Sequence, residues 1–287
     1  MDYSRPVTEI IPQRFSCRTY LETPIAPKKR RRLQQAMDSL QAGPLGTPLR
    51  FSLLAATAED RSALQGLAAY GSVKGESGFI AGAVQPGAKN LEDYGYALEM
   101  IILLATDLGL GTCWIGGIFT RSRFARKIAL ARGEQMPAVA AIGDMADPER
   151  ARIGLTRRLV GADRRLPWAD LFFAGRFGAP LSREAAGPYA TPLEMLRLGP
   201  SASNKQPWRV IRDGNAWHFY LHRTRGYYSL GSRLAGIADI QRVDMGIAMC
   251  HFALTAGALG LSGRWAVQEP DLQLPDAQTE YTVSWLS

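Results

Sequence analysis

Apolar residues recur at helical spacing in several stretches of this 287-residue chain. After Pro27, which suits a first helical turn, Leu33, Ala36, Met37 and Leu40 fall on one face. The predicted helix ends at Gly43-Pro44, and Arg50 to Ala56 reads as a strand. A second long helix is predicted from about Leu91 to Leu108, and Pro137 to Gly143 reads as a short apolar strand. Leu193, Met195, Leu196 and Leu198 predict a helix entering the segment GPSASNKQPW, Gly199 to Trp208. Trp208 to Ile211 predicts a strand leaving it.

That segment concentrates Ser201, Ser203, Asn204 and Gln206 between Pro200 and Pro207, which fix φ near its two ends. Such a cluster is a turn, and it is also a set of hydrogen-bonding groups suited to a flat heterocycle. Near the other end of the chain, Arg14, Ser16 and Arg18 alternate with Phe15 and Cys17. In an extended segment they share one face, as on a solvated strand edge or in a clamp for a phosphate monoester. Gly109-Leu-Gly-Thr-Cys-Trp-Ile-Gly-Gly117 follows the second long helix. It reads as a C-cap and turn, or as backbone open to close approach by a ligand. It is no dinucleotide fingerprint, because it does not join a strand to a helix.

Residues 93–114 align without a gap to residues 244–265, at a constant offset of 151 (244 − 93). Asp93, Gly95, Ala97, Leu103, Ala105, Leu108, Gly109, Leu110 and Trp114 are identical to their counterparts. Helical periodicity alone does not produce so many matches, and a tandem duplication is expected, with halves 1–160 and 161–287. The halves differ in a complementary way. Gly43 to Phe51 keeps the frame of GPSASNKQPWRV without its serines, asparagine and glutamine. Matching Pro12 to Pro167 sets Arg14, Ser16 and Arg18 opposite Ala169, Leu171 and Phe173. Gly116 and Gly117 fall opposite Val267 and Gln268. Two halves packed about a pseudo-two-fold axis would form two related sites, one with every polar element and one with none. One ligand per chain follows.

Composition narrows the function classes. Apolar residues at 46% suffice for a sizeable core. The net charge of +8 is scattered, as in the run Lys28 to Arg32 and the connector holding Arg150, Arg152, Arg157, Arg158, Arg164 and Arg165. Without aromatic interleaving it does not describe a nucleic-acid surface, and it would favour a phosphate-bearing small molecule. Cys17, Cys113 and Cys250 form no disulfide framework or zinc motif, and His218, His222 and His251 lack ligand spacing. The start MDYSRP is no signal peptide, and no apolar run approaches a membrane span, so a cytoplasmic protein is expected. His251 stands opposite an apolar position of the first half and reads as a packed histidine. Tyr70, Lys74, Asn90 and Glu99 border the candidate pieces but read as surface or helix structure.

The three pieces RFSCR, GLGTCWIGG and GPSASNKQPW, in this order, resemble the FMN-dependent nitroreductase family, specifically its single-chain members with two nitroreductase-like halves. The resemblance implies an α+β fold in which one chain mimics the usual homodimer, a monomeric pseudo-dimer. It implies FMN as cofactor, with Arg14, Ser16 and Arg18 matching phosphate and ribityl contacts. Pro200, Ser201, Ala202, Asn204 and Gln206 match the covering loop. Ile115, Gly116 and Gly117 match the backbone beside the reactive edge, and Arg164 and Arg165 a late basic pair near the phosphate. It also implies NAD(P)H as electron donor and a small-molecule acceptor such as a nitroaromatic or a quinone, with no side chain named as a catalytic group and no metal. Another flavin reaction on the same scaffold (ene reduction, dehydrogenation or dehalogenation) and a flavin-binding protein without turnover stay open.

Overall fold

The computed structural model describes residues 1–55, 67, 73–116, 121–147, 161, 164–227 and 237–287. The N-terminal elements are helices α1 (Val7–Gln13) and α2 (Pro27–Ser39), strands β1 (Leu49–Ala55) and β2 (Gly78–Val84), and the long helix α3 (Asn90–Asp107). Strand β3 (Gly111–Gly116), helix α4 (Arg121–Lys127) and strand β4 (Ala138–Gly143) follow. After the connector come β5 (Phe172–Ala174), the short α5 (Arg183–Ala186), α6 (Ala190–Arg197), β6 (Trp208–Asp213) and β7 (Ala216–His222). The chain ends with the long helix α7 (Ile240–Ala258), β8 (Arg264–Ala266) and β9 (Thr279–Leu286).

The expected α2 inner face is observed, with Leu33, Ala36 and Met37 buried, although the helix stops one residue before Leu40. Strand β2 was not expected. Its sequence, GFIAGAV, is buried at every position and so shows none of the alternation that marks a half-exposed strand.

Both sheets use one topology. The first has the order β1-β2-β4-β3, with every neighbouring pair antiparallel. The second runs β5-β6-β7-β9-β8, the same order with β5 added in parallel at the edge of β6. Leaving β5 aside, two strands of each sheet precede a long helix and two follow it.

The helices α3 and α7 pack on each other between the sheets. A Cβ on Gly95 would collide with the Val243 carbonyl, and one on Gly246 with the Glu92 carbonyl. Those contacts are reciprocal at the offset of 151, and they let the two backbones cross closely. One apolar cluster joins α2 and α3 to the first sheet, and another joins α6 and α7 to the second. Helix α1 lies where the two meet, with Ile10 and Ile11 against Leu103, Met195 and Cys250. Among the described residues no helix is long and apolar enough to cross a membrane.

Candidate functional site

A cavity of about 640 Å³ opens beside this helix crossing. That is within the range of roughly 300–1,000 Å³ typical of small-molecule sites. Its walls come from both halves of the chain. The stretch leaving α1 contributes Arg14, Phe15, Ser16 and Arg18, and the end of β3 contributes Trp114 and Gly116. The segment before β6 contributes Pro200 to Asn204, and the first turns of α7 contribute Ile240, Val243 and Asp244. Arg165 and Tyr227 complete the rim.

The clamp is extended as expected, held by the bridge between Ser16 and Thr112 at the edge of the first sheet. Cys17 points away and is buried, and its N–H donates to the Thr112 carbonyl. Arg14, Ser16 and Arg18 therefore reach one cavity, as the alternation predicted.

The Gly199–Pro207 segment is more constrained than its composition suggested. Ser203, Asn204 and Gln206 have φ of 48°, 53° and 48°, the left-handed region that non-glycine residues seldom occupy. Such strain persists only where surrounding contacts over-determine it. Asp244 accepts the Ala202 N–H at 3.0 Å, and Ser201 Oγ accepts the Gln206 N–H at 2.8 Å. Asn204 Nδ2 donates to the carbonyls of Gly161 and Arg164, at 2.7 and 2.9 Å. Gln206 Oε1 accepts the Leu166 N–H, and Tyr227 donates its hydroxyl hydrogen to Ser203.

The structure thus corrects the list of residues facing the cavity. Gln206 is buried and turned into the loop as a brace, since only there can it satisfy the Leu166 N–H. Arg164 is exposed and offers its carbonyl to the loop, while its neighbour Arg165 reaches the cavity. Ile115 packs under the sheet, leaving Gly116 at the wall. Gly117, Tyr70, Arg150, Arg152, Arg157 and Arg158 lie outside the described residues. Phe15, Trp114, Tyr227, Ile240 and Asp244 are cavity residues that the sequence did not mark. For Asp244 and Trp114 a signal existed, since both are repeated in register at the offset of 151.

Three guanidinium groups, Arg14, Arg18 and Arg165, face one carboxyl group, Asp244. Arg18 Nη1 lies 3.7 Å from Cys113 Sγ, and its Nε is buried with no hydrogen-bond partner. A buried donor left in this way costs about 1–3 kcal/mol until an acceptor meets it. Burial pushes the Asp244 carboxyl well above the usual carboxylate range, opposed by the Ala202 hydrogen bond. An anionic ligand that accepts hydrogen bonds fits this set of groups.

Leu45, Tyr96, Leu166 and Trp265 pack on the core of the second sheet. A larger cavity, about 990 Å³, lies between the N-terminal ends of α3 and α7. Much of its charge is internally paired, with Arg242 on Glu92 and Arg223 on Asp239 and Glu280. Asn90 lines it and bonds to Gln135, while Lys74 is exposed at the bridge to Thr19.

The family model described as "Putative TM nitroreductase" matches residues 6–256 of the chain. The fold is that of a crystal structure of a "putative nitroreductase" from Thermotoga maritima MSB8, at 20% identity and a TM-score of 0.60. That match covers 100% of this chain and 95% of the other. An "oxidoreductase containing FMN" matches at 24% identity and a TM-score of 0.47, over 62% of this chain and 96% of its own. A nitroreductase with bound FMN from Bacteroides fragilis NCTC 9343 matches at 17% identity and a TM-score of 0.38, over 50% and 90%. No curated protein matches the chain.

Proposed function

The chain belongs to the nitroreductase family that this model describes, and from that premise we propose that it is an FMN-dependent oxidoreductase with one flavin site per chain. The electron donor would be NAD(P)H and the acceptor a small oxidised molecule such as a nitroaromatic or a quinone. The observation that carries the reading is the convergence of Arg14, Arg18 and Arg165 with the Pro200–Asn204 loop on one cavity.

Arg14, Ser16, Arg18 and Arg165 would hold the phosphate and ribityl groups by charge-assisted hydrogen bonds, and the orphaned Arg18 Nε supplies an unmet donor. The braced loop and Gly116 would bracket the ring, with Asp244 keeping the loop in place at Ala202. When bound, the flavin supplies reversible hydride acceptance and release, while the protein supplies position and field. The arginines favour the cofactor's negative charge, and the rigid loop excludes water from the buried side. The shared strand order and the reciprocal glycine contacts support an internally duplicated chain, halves 1–160 and 161–287, acting as its own dimer.

The test is the visible spectrum of the purified chain with flavin counted per polypeptide. One FMN is expected; none, or two, overturns the reading. Arg18→Ala and Ser201→Ala should each release the flavin, whereas Leu45→Ala and Phe173→Ala should leave it bound. A chain that keeps its flavin but oxidises neither NADH nor NADPH is a binding protein instead.

A further inference from the structure

Behind the cavity wall lies a cluster of charge that the proposed function leaves unused. Glu99 of α3 is fully buried. Its Oε2 accepts the Trp114 Nε1–H at 2.7 Å, and its Oε1 lies 3.0 Å from His251 Nε2 and 3.6 Å from Arg14 Nε. The other ring nitrogen of His251, Nδ1, is 2.9 Å from the Met195 carbonyl oxygen. A carbonyl only accepts, so Nδ1 carries hydrogen, and Nε2 faces a carboxylate. One hydrogen lies between Nε2 and Glu99 Oε1, so every polar atom of the His251 ring and both carboxyl oxygens are engaged. Tyr3, Tyr96 and Cys250, the other titratable groups nearby, are pushed up by burial and stay neutral.

The repeat carries no second copy of this cluster. At the offset of 151, Glu99 stands opposite Cys250, and His251 opposite Met100. Trp265 stands opposite Trp114, and its Nε1 is buried without a partner.

We propose that Glu99, held by Trp114 and His251, is a positioning residue that fixes the Arg14 guanidinium in the wall, so that the site selects phosphorylated over unphosphorylated flavin. The inference rests on the flavin reading above. Arg14 reaches the cavity with its side chain 6% exposed. A neighbouring negative charge steadies a guanidinium so buried, and removing that charge withdraws the support.

Dissociation constants for FMN and riboflavin, measured by fluorescence titration of the full chain, test this. Glu99→Gln should weaken FMN by about tenfold and riboflavin by less than about twofold, and adding Arg14→Gln should lower the preference no further. An equal loss for both ligands would mark a merely structural role and overturn the inference. Imidazole 15N shifts of the wild-type chain at neutral pH give a second readout, independent of cofactor and of variant folding. His251 should show a protonated Nδ1, and a ring with bare Nδ1 overturns the proposed grip on Glu99. A wild-type chain that binds neither flavin overturns the reading of the site and this inference with it. FMN binding with an unaltered preference in Glu99→Gln overturns the inference alone.

Discussion

Trp114 on β3 and Trp265 on β8 hold corresponding positions, each after a long helix and the Leu-Gly-Leu that follows it. Trp114 lines a cavity and donates its Nε1–H to Glu99. Trp265 stands among Phe219, Phe252 and Trp285, with its own Nε1–H left without an acceptor. The backbone around both is alike, so backbone geometry does not make the site. What differs is the residue at the related helix position: Glu99 before Trp114, and Cys250 before Trp265. An acceptor behind the tryptophan goes with a polar, open face, and an apolar neighbour with a packed one. The two anchoring aspartates repeat the contrast. Asp93 accepts the N–H groups of Leu45 and Thr47, both at 2.8 Å, whereas Asp244 has only that of Ala202.

The comparison can be broken first at the helix crossing. Gly95→Ala and Gly246→Ala should each destabilise by about 3 kcal/mol in urea unfolding, because the added methyl meets the facing backbone rather than a movable side chain. Similar costs would support the reciprocity of the crossing, and a large cost at one position alone would break it.

A smaller effect separates the tryptophans. Trp114→Phe leaves a buried carboxylate oxygen short of its donor and should cost about 2 kcal/mol, while Trp265→Phe loses no hydrogen bond and should cost under about 1 kcal/mol. Equal values in the same unfolding assay would remove the distinction between the two faces.

The smallest effect concerns pH. The Asp244 carboxyl is raised by burial above its ordinary value of 3.8, so between that value and its folded one the native state binds the proton more strongly. Its contribution to stability therefore falls as pH rises through that window. Asp244→Asn keeps an acceptor for Ala202 and removes the titration. The variant should gain on wild type as pH rises from about 4, and parallel stability–pH curves would show that Asp244 does not titrate there.

The elements legible in the sequence were those with a local signature. The second long helix was expected over 91–108 and spans Asn90–Asp107. The clamp and the loop were legible because arginine, serine and asparagine at close spacing state their chemistry by type. Their orientation was not legible. Asn204 and Gln206 looked like ligand groups, yet both make hydrogen bonds to backbone near Arg164. Glu99 looked like helix surface because its partner His251 lies 152 residues away.

Taken alone, the chain's order of residues determined the kinds of elements and the pieces of a polar site, because each depends on neighbours within a few turns, and it showed the repeat by direct comparison of residues 93–114 with 244–265. Only the tertiary structure decided which of two corresponding faces stays open, which polar groups reach it and which are consumed in bracing the loop. Those outcomes depend on burial and on hydrogen-bond partners, and partners are chosen by proximity in space, which the fold alone creates.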